Sequence, residues 1–139
     1  MRFLAYLAVA LALAGCAVSP YGNYAGASDD VNQKLAVASI RQLASMYPPA
    51  RTQFNLRQNP NDAFGSSLLA LLRNRGYAIV EPSAYSDDIG SGLDLRYMVA
   101  PASTNLYLVT IYTGSRSLSR AYTLHRGSVA PVGPWIRGE

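Results

Sequence analysis

Thr52-Gln53-Phe54-Asn55-Leu56 and Tyr77-Ala78-Ile79-Val80 are two short stretches, and what lies between them decides the fold. The first alternates polar and apolar side chains, the period of a β-strand. Asn59-Pro60-Asn61-Asp62 then turns the chain, and Asn61 or Asp62 stands where a helix needs a cap. Ala63, Phe64, Ser67, Leu68, Leu71 and Leu72 recur at helical spacing. Arg73 and Arg75 fall in the last turn, where positive charge suits the helix dipole, and Gly76 supplies a left-handed stop. The second stretch follows at once as a strand. Strand, helix and strand in that order predict a right-handed crossover between two parallel strands.

Downstream, residues 93–99, 106–112 and 117–124 read as three further strands, with turns at 101–105 and 113–115. Leu93, Leu95, Tyr97 and Val99 alternate with Asp94, Arg96 and Met98. The middle strand is apolar on both faces and belongs in the interior of the sheet. Arg120 shares a face with Leu118, Tyr122 and Leu124, so it either snorkels or pairs with Asp94 across the sheet. Residues 129–139 carry Pro131, Pro134 and the only Trp, and read as a weakly structured tail packed along the sheet. Upstream, Ser28-Asp29-Asp30 opens a first helix by capping and by favourable charge. Val31, Leu35, Ala38 and Leu43 form its core stripe, with Ile40 and Met46 nearby. Tyr47-Pro48-Pro49 ends it. The expected fold is α+β: a two-layer sandwich with two helices on one face of a mixed sheet of about five strands, in the order α-β-α-β-β-β-β.

The amino terminus has another logic. Met1-Arg2 is followed by an apolar run that ends at Leu13-Ala14-Gly15-Cys16. A basic start, an apolar core and small residues before a cut site make a secretory signal, and the cysteine makes it a lipoprotein signal. Cleavage is expected between Gly15 and Cys16, with lipidation on Cys16. The run is short of the roughly 20 residues that span a bilayer. Residues 1–15 are therefore read as a removed signal peptide, 16–28 as lipid anchor and flexible tether, and 29–139 as one periplasmic domain. Tyr21 and Tyr24 in the tether either meet lipid headgroups, dock on a partner or stand in solvent. In a diderm bacterium, Ala17 rather than Asp after the cysteine resembles the pattern of lipoproteins sorted to the outer membrane, so the domain is expected there, lipid-anchored and facing the periplasm.

Composition narrows the functions. The single cysteine is used by the lipid, so the domain has no disulfide and no thiol site. The net charge is +4, and eleven of the twelve basic residues are Arg, but they are scattered along the chain and form no run. Direct nucleic-acid binding is not expected. His125 is the only histidine, and no second His or Cys remains, so no metal site is supported. No Gly-x-Ser-x-Gly elbow occurs, and Glu81 is the only internal Glu. Asp87, Asp88, Gly90 and Gly92 lack the regular spacing and closing Glu of a calcium loop. The chain reads as a non-enzyme with no cofactor and no small-molecule substrate.

Eight passages, in order along the chain, carry a resemblance. They are Leu13-Ala14-Gly15-Cys16, Tyr47-Pro48-Pro49-Ala50, Ala63-Phe64-Gly65, Arg75-Gly76-Tyr77-Ala78, Gly92-Leu93-Asp94-Leu95-Arg96-Tyr97, Leu106-Tyr107-Leu108-Val109-Thr110, Leu118-Ser119-Arg120-Ala121-Tyr122 and Trp135-Ile136-Arg137-Gly138-Glu139. The sequence resembles the TrbH family of conjugal transfer lipoproteins. The resemblance implies an outer-membrane component of a mating-pair-formation type IV secretion apparatus, with other channel subunits as partners and membrane lipid bound through acylated Cys16. Trp135, Arg137 and Arg120 are the candidate partner contacts, by residue type. Trp135 has a second reading, closing the core. A different class of function also remains open: regulating cell-wall synthesis or binding peptidoglycan. A third is assisting outer-membrane protein assembly or surface-structure export.

Overall fold

A computed structural model describes residues 19–83 and 90–139. The expected signal peptide, Gly15, Cys16, and loop residues Asp87 and Asp88 lie outside the described residues. The described elements run β1 (Gly22–Asn23), α1 (Asp29–Met46), β2 (Gln53–Leu56), α2 (Ala63–Asn74), β3 (Ala78–Val80), β4 (Leu93–Ser103), β5 (Leu106–Thr113), β6 (Arg116–His125) and β7 (Ser128–Gly138). The fold is α+β, two helices on one mixed sheet, as the sequence predicts.

Local chemistry starts both helices. The Ser28 side chain accepts from the Val31 amide, and Asp29 and Asp30 stand in the first turn of α1. Tyr47, before Pro48, ends it in an extended conformation. Asp62 caps α2, accepting from the Gly65 amide at 2.8 Å. The other Asp62 oxygen accepts from the Tyr97 hydroxyl on β4. One carboxylate thus ties the start of a helix to the middle of the sheet. Gly65 is buried beside it, and a Cβ there would lie 2.0 Å from the Tyr97 hydroxyl oxygen. Burial, and then the Asp62 carboxylate, push the Tyr97 phenol far above its ordinary value.

The sheet order is β3-β2-β4-β5-β6-β7, with β1 also against β4. β2 and β3 are parallel with Phe54 opposite Ile79, the arrangement the strand-helix-strand passage predicts. β4 is parallel to β2 on one side and antiparallel to β5 on the other. Leu95, Tyr97, Val99, Val109, Ile111, Leu118 and Tyr122 point from the sheet into one core with Leu35, Ile40, Leu43, Phe64, Leu68 and Leu72 of the helices. α1 lies on the β7 side of that face, and α2 contacts β1 and β3.

The sheet holds seven strands where about five were expected, and the two additions have separate causes. β7 forms in the stretch read as a weakly structured tail. Arg126 and Gly127 both adopt positive φ, 48° and 76°, and make the tight two-residue turn that folds β7 back on β6. As an edge strand, β7 tolerates Pro131 and Pro134, which lack a backbone N–H. β1 lies within the stretch read as tether. Its Gly22 and Asn23 pair with Met98 and Val99, and Tyr24 N–H donates to Val99 O at 2.7 Å. Side chains pin it: Asn23 donates to buried Asn32 at 2.8 Å, and Asn32 donates to Ala27 O and Ser28 O at 3.0 Å each. Tyr21 stacks edge-on against Tyr112 at 5.1 Å, with the Arg96 guanidinium over its ring.

Candidate functional site

A groove runs between α1 and the carboxyl-terminal edge of the sheet, and the strand count explains it. Six strands lie abreast. At about 4.8 Å per strand the sheet is about 29 Å across, while two helices, each about 10 Å across, cover about 20 Å. The inner face of β7 therefore overhangs the helical layer. The resulting cavity is about 590 Å³. One wall is the outer face of α1, including Asp30, Lys34, Ala38, Arg41 and Ser45. These positions recur every three or four residues and so share one face. The floor and far wall are Arg120, Tyr122, Val129, Pro131 and Trp135.

The floor is aromatic. Trp135 is partly buried and meets Tyr122 edge-on at 6.3 Å. Arg120 lies over the Tyr122 ring at 5.8 Å, and its Nε donates to Gly133 O at 2.9 Å. That bond fixes the guanidinium beside the register break between Ser119 and Ala121. Tyr122 is only 2 % exposed, and its hydroxyl lies within reach of the Arg120 guanidinium but makes no hydrogen bond of normal geometry to any described residue. Burial pushes its phenol up, and the charge and hydrogen-bonding reach of Arg120 oppose the rise.

The electrostatics are one-sided. Lys34, Arg41 and Arg120 face one carboxylate, Asp30, which Lys34 already holds at 2.6 Å. The ion pairs among the described residues leave Arg41 and Arg120 without a carboxylate. A second cavity, about 210 Å³, opens at Met46 near the end of α1 and is lined by Arg116, Arg137 and Glu139.

Of the three residues singled out as partner contacts, Trp135 and Arg120 stand in the groove, and Arg137 lines the neighbouring cavity. Trp135 packs against the core on one side and lines the groove on the other. The anticipated Arg120–Asp94 pair does not form. Asp94 accepts from Arg57 Nε at 2.7 Å instead, because β2 lies next to β4 and brings Arg57 close, whereas Arg120 is held by Gly133. The α1 half of the groove and Tyr122 were not anticipated. Their signal was the spacing of Asp30, Lys34, Arg41 and Ser45 along one helix face. His125 is exposed at the end of β6. Among the described residues no group of three metal-ligating side chains occurs, and no helix is long and apolar enough to cross a membrane.

Fold and groove together define a small two-layer α+β domain with one basic, aromatic-floored groove at its edge. Residues 18–139 match the family model described as conjugal transfer protein TrbH. The chain belongs to that family and is a conjugal transfer protein. No match was found among curated proteins or among solved structures.

Proposed function

We propose that the protein is an outer-membrane lipoprotein of a conjugative type IV secretion apparatus, held by acylated Cys16 and stabilising channel subunits through its periplasmic domain. The family match over residues 18–139 carries this reading. The Leu13-Ala14-Gly15-Cys16 sequence supports the anchor, and the groove holding Trp135 and Arg120 supports a binding rather than a chemical task. β1 adds a geometric argument. Because Gly22 is already paired to the sheet, the chain from Cys16 to Gly22 spans at most about 21 Å when fully extended. The domain is then confined close to the membrane, where weak contacts gain effective concentration. So short a reach favours channel subunits beneath the membrane over a distant cell-wall partner.

Co-purification from solubilised envelopes tests this, with a tagged wild type beside Cys16→Ser and mass spectrometry of the bound proteins. Channel subunits retained by wild type and reduced by Cys16→Ser are the expected result. Cell-wall synthases or assembly-machine subunits without any channel subunit would overturn it. Fractionation of the same envelopes places the anchored form in the inner or outer membrane.

A further inference from the structure

We propose that the groove between α1 and β7 receives an extended, acidic segment of a partner protein. The proposal rests on the reading of the chain as an assembly component and names the chemistry of the segment it holds.

Charge is the first argument. Arg41 and Arg120 face the groove with no carboxylate partner among the described residues, and Lys34 adds a third cation against the single Asp30. Arg120 is also pre-positioned. Its Nε is committed to Gly133 O, which holds the guanidinium over the Tyr122 ring, so it meets a carboxylate at less entropic cost than a free side chain.

The second argument is the Tyr122 hydroxyl. It is buried in the groove floor within reach of the Arg120 guanidinium, but makes no hydrogen bond of normal geometry to any described residue. A buried polar atom without a partner costs free energy that a ligand's acceptor removes on binding. A carboxylate or peptide carbonyl held by Arg120 gives the hydroxyl a better acceptor once the floor side chains that close it off shift aside.

Shape is the third. The stretch of α1 that walls the groove, from Asp30 to Ser45, rises about 22 Å, which an extended chain covers in about seven residues. Trp135, Val129 and Pro131 give such a segment an apolar surface for its alternate side chains. Binding by strand addition along β7 is disfavoured, since Pro131 and Pro134 remove two donors and a register break bends the strand. A flat anionic membrane explains the charge but not a walled groove with a recessed Tyr122.

Trp135 is the only tryptophan, so its fluorescence reports occupancy of the groove. The full chain is placed in bilayer discs of phosphatidylcholine. It is titrated with peptides of about eight residues that alternate Glu with Leu or Phe, and with copies carrying Gln for Glu. The Glu peptides are expected to shift Trp135 emission saturably, to weaken with added salt, and to bind at least about tenfold tighter than the Gln copies. Arg120→Gln is expected to weaken them about tenfold, and Arg41→Gln, at an exposed site, about threefold. Tyr122→Phe is expected to weaken binding about threefold without lowering Tm, a separation that a purely structural tyrosine would not give. Arg51→Gln, away from the groove, is the control. Equal binding of Glu and Gln peptides, no peptide-dependent shift, or indifference to both arginine variants overturns the proposal. So does a Trp135 shift produced by phosphatidylglycerol in the discs alone, which would assign the groove to the membrane surface. Channel subunits retained in co-purification while the acidic peptides fail would sink the groove and leave the broader function standing.

Discussion

Gly65→Ala should destabilise the protein, although a helix normally gains from that change. In an open helix, replacing Gly by Ala is worth about 1 kcal/mol. Here the new Cβ would stand 2.0 Å from the Tyr97 hydroxyl oxygen, 2.8 Å from Tyr97 Cζ and 3.0 Å from Pro60 Cα. Tyr97 is fully buried and its hydroxyl donates to Asp62, so it has no free direction in which to move. Overpacking of this kind costs about 1–3 kcal/mol. Displacing the hydroxyl also weakens a bond to a carboxylate worth about 1.5–3 kcal/mol. The sum outweighs the propensity gain, for a net loss of about 1–3 kcal/mol, and at roughly 3–5 °C per kcal/mol Tm falls measurably. Tyr97→Phe alone should cost about 1.5–2 kcal/mol, because Asp62 keeps the Gly65 amide and is partly open to water. The two changes must couple. With Phe at 97 the 2.0 Å contact is gone, and Gly65→Ala should cost at least about 1 kcal/mol less than in the wild type. Urea denaturation of the four members of the cycle measures this. Additivity within about 0.5 kcal/mol, or a stabilised Gly65→Ala single variant, would refute the reasoning.

Alkali should unfold the protein through its buried tyrosines. Burial raises the phenols of Tyr97, Tyr77 and Tyr122, so the folded chain keeps protons that unfolded phenols release near pH 10. Stability is then intact below about pH 9 and falls above pH 10, by up to about 1.4 kcal/mol per pH unit for each fully protected tyrosine. Tm measured against pH should show a shallower alkaline slope in Tyr97→Phe. Asn32→Leu removes the buried amide that binds Asn23, Ala27 and Ser28. It should cost about 1–3 kcal/mol and release β1 first, seen as loss of exchange protection at the Tyr24 amide while β5 stays protected. Asp94→Asn should cost no more than about 1 kcal/mol, since its pair with Arg57 is about one-third exposed. Combined with Arg120→Gln its effect should be additive in thermal melts, because Arg120 and Asp94 form no pair.

The parts of the fold legible in the sequence are those written in local chemistry. Asp62, Gly76 and the apolar stripe between them specify α2 without reference to the rest of the chain. The alternation of Leu95, Tyr97 and Val99 likewise specifies which face of β4 is buried. What escaped depends on tertiary context. β1 is two residues long, and no periodicity marks it. It forms because the Asn23 and Asn32 side chains meet across a turn. β7 is disguised by Pro131, Gly133 and Pro134, which would break a central strand but are harmless at an edge. Its one local signal is Arg126-Gly127, a two-residue turn with Gly in second place.

The missed strand and the half-missed site are one error. Five strands abreast, about 24 Å across, come close to the roughly 20 Å that two helices cover. Such a sheet gives the outer face of α1 no neighbour, and Asp30, Lys34, Arg41 and Ser45 then read as an ordinary solvated face. Adding β7 as the sixth strand abreast carries Trp135 and Pro131 out past α1 and turns that face into a wall. Residue type alone could flag Trp135 and Arg120, because aromatic and Arg side chains carry interface energy wherever they lie. The lysine and arginine of α1 acquire meaning only from the strand opposite them. The same strand holds Arg120 through Gly133 and covers Tyr122 with Trp135. The terminal segment that looked least structured therefore builds the groove. Substitutions that detach β7 should abolish it while leaving the α2–β4 core folded.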